Sequence, residues 1–220
     1  MVTSFKGFLE MQECVYRKFR DTTAIERDGL SPKIPKQQGG YLIAFRHPNK
    51  ITDSLGEFSY RASKVVPAIT YDRDNAHKTI SDFLVQDDFS PDTNTLEKLA
   101  EVVHANKPLS KEIVFDYDGW ALNQNTGIAT GIPTPPVYDT LKSIIDYAHQ
   151  RDIQLRLPWG SHITVSRFLE EGTPEEVREL LNVFNTEKPL GKSRPESVDV
   201  GHFVFTPDGF VFDVHERFNL

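Results

Sequence analysis

Three observations predict an α+β fold. Runs with helical spacing alternate with short strand-like runs. The order helix, strand, helix, strand occurs twice along the 220 residues. One octapeptide is also written twice, AHKTISDF from Ala76 and SHITVSRF from Ser161, with His, Thr, Ser and Phe at the same four places.

The elements follow in order. Phe5, Phe8, Leu9, Val15, Tyr16 and Phe19 form an apolar stripe that predicts a helix in residues 1–20. Pro and Gly make residues 27–40 a loop. Tyr41–Phe45 is a continuous apolar run, read as a buried strand stopped by Pro48. Ser54–Val66 reads as a helix ended by Pro67. The first octapeptide opens a strand extending to Val85. Leu96, Leu99, Val102 and Val103 give the next helix its apolar face, and Lys111–Leu122 reads as a strand region. The turn formers of Asn123–Pro136, Gly127 and Gly131 among them, predict a loop. Val137–Gln150 is helical, with Leu141, Ile144, Ile145 and Ala148 on one side. The second octapeptide strand follows. Thr173, Pro174 and Glu176 signal the start of another helix through a capping box. SVDVGHFVF and GFVFDVHERF are strands joined by the turn TPDG.

Composition narrows the function. Hydrophobic residues are 38% and charged residues 26%, as in a folded soluble protein. No apolar run reaches the roughly 18–20 residues of a membrane span, and the N-terminus has no signal-peptide pattern. Cys14 stands alone, so no intrachain disulfide or multi-cysteine metal site is available. A cytoplasmic, monomeric protein is expected. Lys and Arg number 25 against 32 Asp and Glu, a net −7, which argues against binding long nucleic acid. Residues 72–101 alone hold eight acids and three bases. A small anion held by a few directed hydrogen bonds remains compatible with that surface.

Side chains alternate along a strand, so His77, Thr79, Ser81 and Phe83 should share one face, and His162, Thr164, Ser166 and Phe168 another. Ile80, Ile163 and Val165 suit packing under helices. If the halves face each other, two His and two Thr converge. That set suits phosphodiester cleavage. A neutral imidazole takes a proton from the nucleophile and a protonated one gives a proton to the leaving alkoxide. The Thr hydroxyls donate to non-bridging phosphate oxygens. The two His divide the proton transfers, so no metal or other cofactor is expected.

The paired H-x-T motifs, 85 residues apart, resemble those of the 2H phosphoesterase superfamily, also called LigT-like or 2′-5′ RNA ligase-like. HKTISDFL is similar to its first motif, HITVSR to its second, YLIAF to its first strand and FVFTPDGFVFDV to its closing hairpin. The resemblance runs from about Tyr41 to the C-terminus. It implies one bilobal domain, 41–220, with lobes of about 41–122 and 137–220. Each lobe would be an antiparallel sheet with helices on its outer face, and a groove would lie between them. Residues 1–40 form an extension outside it. It also implies a phosphodiesterase acting on a ribose cyclic phosphate or a 2′-5′ or 3′-5′ linkage. The acidic surface favours a small nucleotide or short oligonucleotide as substrate. The alternative is a module of the same fold that binds a nucleotide or RNA end without turnover. Lys78 stands where the family has an apolar residue and must snorkel, or lie near an edge. Trp159 is a candidate for base stacking, Arg156 and Arg167 for phosphate, and Tyr41, Ser81 and Ser166 for further substrate contacts. Alternation places Arg167 opposite His162, and puts Lys78 and Asp82 on the outward face as well.

Overall fold

The computed structural model describes residues 2–34, 36–107 and 112–220. Lys111, expected to begin a strand, lies outside them. The chain runs α1 (Phe5–Arg20), α2 (Thr23–Asp28), β1 (Gln38–Arg46), α3 (Asn49–Val65), β2 (Ala68–Thr70), β3 (Lys78–Asp87) and α4 (Thr93–Ala105). It continues β4 (Phe115–Leu122), β5 (Thr126–Pro133), α5 (Pro135–His149), β6 (Ile163–Phe168), α6 (Pro174–Thr186), β7 (Gly191–Ser193), β8 (Ser197–Thr206) and β9 (Gly209–Asn219).

The strands form two antiparallel sheets, ordered β3-β1-β8-β9 and β2-β6-β5-β4-β7. This is the α+β architecture that the sequence predicts. The sheets do not follow the chain halves. The first sheet takes β8 and β9 from the C-terminal part, and the second takes β2 from the N-terminal part. The lobes are therefore interleaved in sequence rather than continuous over 41–122 and 137–220. Helices α3 and α6 pack on the second sheet, and α4 packs on the first with α5 beside it. β1 is buried on both faces because it sits inside its sheet with helices on one side. Helix α6 starts with the capping box, Thr173 and Glu176 each accepting the other's backbone N–H.

Asn123–Pro136 is not a loop. Only residues 123–125 turn, and Thr126–Pro133 is a central strand. Its glycines answer to crowding rather than to turning. A Cβ on Gly127 would lie 2.4 Å from the Phe184 ring, and one on Gly131 would lie 2.2 Å from the Ser161 carbonyl oxygen.

Candidate active site

Both octapeptides begin just ahead of their strands, β3 and β6, which belong to different sheets. Between the sheets lies a groove of about 490 Å³ lined by His77, Thr79, His162 and Thr164. The two H-x-T pairs meet in one cavity.

Each pair carries the same backbone irregularity. In β3, Thr79 pairs with Ala44 and Ser81 with Ile43, so Ile80 is the extra residue of a β-bulge. In β6, Thr164 pairs with Ile128 and Ser166 with Gly127, so Val165 is extra. Ser59 of α3 donates to the Val165 carbonyl and accepts from Tyr71 N, which satisfies the bulged backbone. A bulge shifts the alternation of the side chains that follow it. Ser166 is therefore buried behind the sheet, next to Gly127 and Phe184, and does not line the groove. Arg167 and Asp82 line the groove instead of pointing outward. Strict alternation fails here because it skips no residue.

Arg167 donates from Nε to the Tyr71 hydroxyl at 3.1 Å, and its guanidinium lies over the Phe205 ring. Arg156 and Lys33 also reach the groove, the latter from the segment joining α2 to β1. Ser81 touches the groove, but its Oγ is engaged by the backbone N–H and C=O of Arg156, both at 3.0 Å. Tyr41 does not line the groove. It pairs with Phe83 on the helix-facing side, and its hydroxyl accepts from Asp92 N at 2.8 Å. Trp159 lines the groove, but His162 stacks on its indole at 3.9 Å and Phe19 at 5.8 Å.

The two histidines are supported differently. His77 Nδ1 is 2.7 Å from the Asn75 carbonyl, so it donates there and leaves Nε2 available. Arg46 fastens this turn by donating to the carbonyls of Arg73, Asp74 and Ala76. Phe210 stacks on the His77 ring at 5.3 Å. His162 Nδ1 is buried and has no hydrogen-bond partner among the described residues. Burial holds both imidazoles below their ordinary 6.5. His77 falls to about 4, where the Asn75 carbonyl opposes the drop, and His162 to about 3, pushed further by Lys78 and His77.

Lys78 does not snorkel. β3 is an edge strand, yet the side chain is wholly buried, and Nζ donates to the Thr79 carbonyl at 2.6 Å. Burial alone lowers its amine to about 7. Nearby, His47 is buried and neutral, bonded to Tyr117 and Ser193. No sequence signal marks His47, whose partners come from strands far along the chain.

No protein-family model matches the sequence, and no curated protein does. Solved structures do. TT0787 of Thermus thermophilus superposes with a TM-score of 0.61 at 14% identity, over 82% of this chain and 97% of its own. Escherichia coli LigT complexed with 3′-AMP gives 0.58 at 12% identity, over 83% and 98%. A crystal structure of a phosphoesterase gives 0.54 at 16% identity, over 84% and 99%. The fold is that of the LigT-like 2H phosphoesterases. The LigT-like chains are covered almost whole, while about a sixth of the present chain extends beyond them. In this LigT-like frame the groove between the sheets holds both motif pairs.

Proposed function

We propose that the protein is a 2H phosphodiesterase that hydrolyses a ribose cyclic phosphate or a 2′-5′ or 3′-5′ linkage in a small nucleotide. The observation that carries this is the meeting of His77, Thr79, His162 and Thr164 in one groove from two separate strands. The phosphate would lie between the imidazoles, with both Thr hydroxyls donating to its non-bridging oxygens. The Asn75 carbonyl stabilises protonated His77 and fits it to donate to the leaving oxygen. His162 then takes the proton of the attacking water. Binding an anionic phosphate between two imidazoles raises their affinity for protons, so the acid loads as substrate binds. Arg167, Arg156 and Lys33 add positive charge around an anionic ligand. Phe203, Phe205 and Phe210 give the groove an aromatic lining suited to a base. Escherichia coli LigT has been crystallised with 3′-AMP, ATP, phosphate and NADP+, which supports a nucleotide as the occupant.

The test is turnover of 2′,3′-cyclic nucleotides, ADP-ribose 1″,2″-cyclic phosphate and 2′-5′ oligoadenylates, with and without EDTA. Activity unchanged by EDTA and abolished in both His77→Ala and His162→Ala is expected. Tight nucleotide binding with no turnover of any substrate would favour the binding-module reading instead.

A further inference from the structure

We propose that helix α1, which lies outside the paired-motif domain, positions His162. This deepens the phosphodiesterase reading and rests on it for its kinetic consequence only.

His77 is oriented by a carbonyl at Nδ1, whereas His162 Nδ1 has no hydrogen-bond partner among the described residues. Something else must hold that ring. Its visible support is the Trp159 indole, stacked at 3.9 Å and 13°. Trp159 is itself held by α1, through Phe19 stacked on it and Tyr16 meeting it edge-on at 6.0 Å. These rings form a small apolar cluster with Ala121 and Ile128, separate from the main core. Ile128 pairs with Thr164 across the sheet, so the cluster occupies the same sheet face as the catalytic strand residue.

Hydrogen bonds tie the same helix to the backbone beside His162. Gln12 is buried, and its Oε1 accepts from Ser161 N at 2.8 Å while its Nε2 donates to the Gly131 carbonyl at 3.0 Å. Tyr16 donates to that carbonyl at 3.2 Å and accepts from Gly131 N at 3.1 Å. Ser161 immediately precedes His162, and Gly131 has no side chain to push it away. The segment 159–161 is thus held between β5 and α1. The two halves of the helix divide the work. Phe5 and Phe8 anchor it against Tyr138 of α5, while Gln12, Tyr16 and Phe19 address the site.

Gln12→Leu removes both hydrogen bonds while keeping bulk, and Trp159→Leu removes the stack. Trp159→Phe keeps a ring and serves as the rescue. Phe5→Ala loosens only the anchor half. In each folded variant, kcat and KM for a 2′,3′-cyclic nucleotide and the imidazole nitrogen NMR shifts of both histidines at neutral pH, which report the tautomer, are measured. Gln12→Leu and Trp159→Leu are expected to lower kcat about 10–100-fold with KM little changed. They should also move the His162 imidazole shifts and leave those of His77 in place. Trp159→Phe should recover most of kcat, and Phe5→Ala should lower stability without touching kcat. A wild-type kcat and unmoved His162 imidazole shifts in Gln12→Leu and Trp159→Leu would overturn the proposal. If the wild-type protein turns over no substrate, the phosphodiesterase reading fails. The selective His162 shift still decides the positioning claim.

Discussion

Lys78→Met should make the protein more stable and its histidines more basic. The Lys78 side chain is fully buried, with one carbonyl acceptor at 2.6 Å. Its amine falls from the ordinary 10.5 to about 7. At about 1.4 kcal/mol per pKa unit, keeping the charged form inside costs about 5 kcal/mol. The sign follows from proton counts. Between pH 7 and 10.5 the unfolded chain binds more protons at this site than the folded one, so stability rises across that window. Below about pH 7 both states are protonated and the cost is present in full. Met fills similar volume without charge, and such replacements of buried charge gain about 1–4 kcal/mol. Urea unfolding of both proteins from about pH 6 to pH 10 measures the gap. It should be widest at the acid end and close towards the alkaline end. Behind burial, Lys78 also depresses the His162 and His77 pKa values, so both should rise in the variant and its acid unfolding should move to lower pH. A variant less stable than its parent at about pH 6, or a gap flat with pH, would refute the reasoning.

Thr79→Val and Thr164→Val should each lower kcat about 10²-fold, since in the proposed reaction each removes one donor to the developing charge; steady-state kinetics that show no loss would remove the Thr from that proposal. Acid should unfold the protein early. His47, His77 and His162 all have folded values of about 3 to 4 against 6.5, so stability is intact above 6.5 and drains as pH falls. Three protons give up to about 4 kcal/mol per pH unit, and circular dichroism should place the midpoint near about pH 5; full structure at about pH 3.5 would contradict the three burials. Asp199→Ala should cost about 3–5 kcal/mol in urea unfolding. The carboxylate is fully buried and takes two bonds from Arg217, at 2.9 and 2.8 Å. An unchanged urea midpoint would show that this pair contributes little. Gly131→Ala should destabilise the protein and lower kcat together, because the new methyl meets the Ser161 carbonyl; a neutral result would mean that this contact is loose.

What was legible in the sequence was whatever a local period encodes. The stripe of α1, the capping box at Thr173 and the closing hairpin appear where their residues predict. The two H-x-T pairs were legible because their shared flanks exceed chance. What was hidden depends on neighbours distant in the chain. The bulges at Ile80 and Val165 arise from register against β1 and β5, and no single strand announces them. That is why Ser166 and Arg167 exchange the faces that alternation assigns. The strand Thr126–Pro133 resembles a loop because its glycines serve close approach by Phe184 and Ser161, a need visible only once those partners are in place. Tyr41 was misplaced for a similar reason, since Leu42, not Tyr41, shares the groove side of β1.

The repeat is most informative where its copies diverge. Thr and the following bulge are common to both, so Thr79 and Thr164 sit in the same local backbone geometry on each side. At the position after the matching Ser, one copy has Asp82 and the other Arg167, and both line the groove. A phosphate bound between the histidines, as proposed, would therefore meet attraction from one wall and repulsion from the other. A symmetric half-site pair would bind an anion in two equivalent orientations. This one should favour the orientation that brings the most negative end of the ligand towards Arg167. For the phosphodiesterase proposed above, specificity for one of two phosphodiester directions would then come from a single charge reversal between copies, with the His and Thr of both copies unchanged.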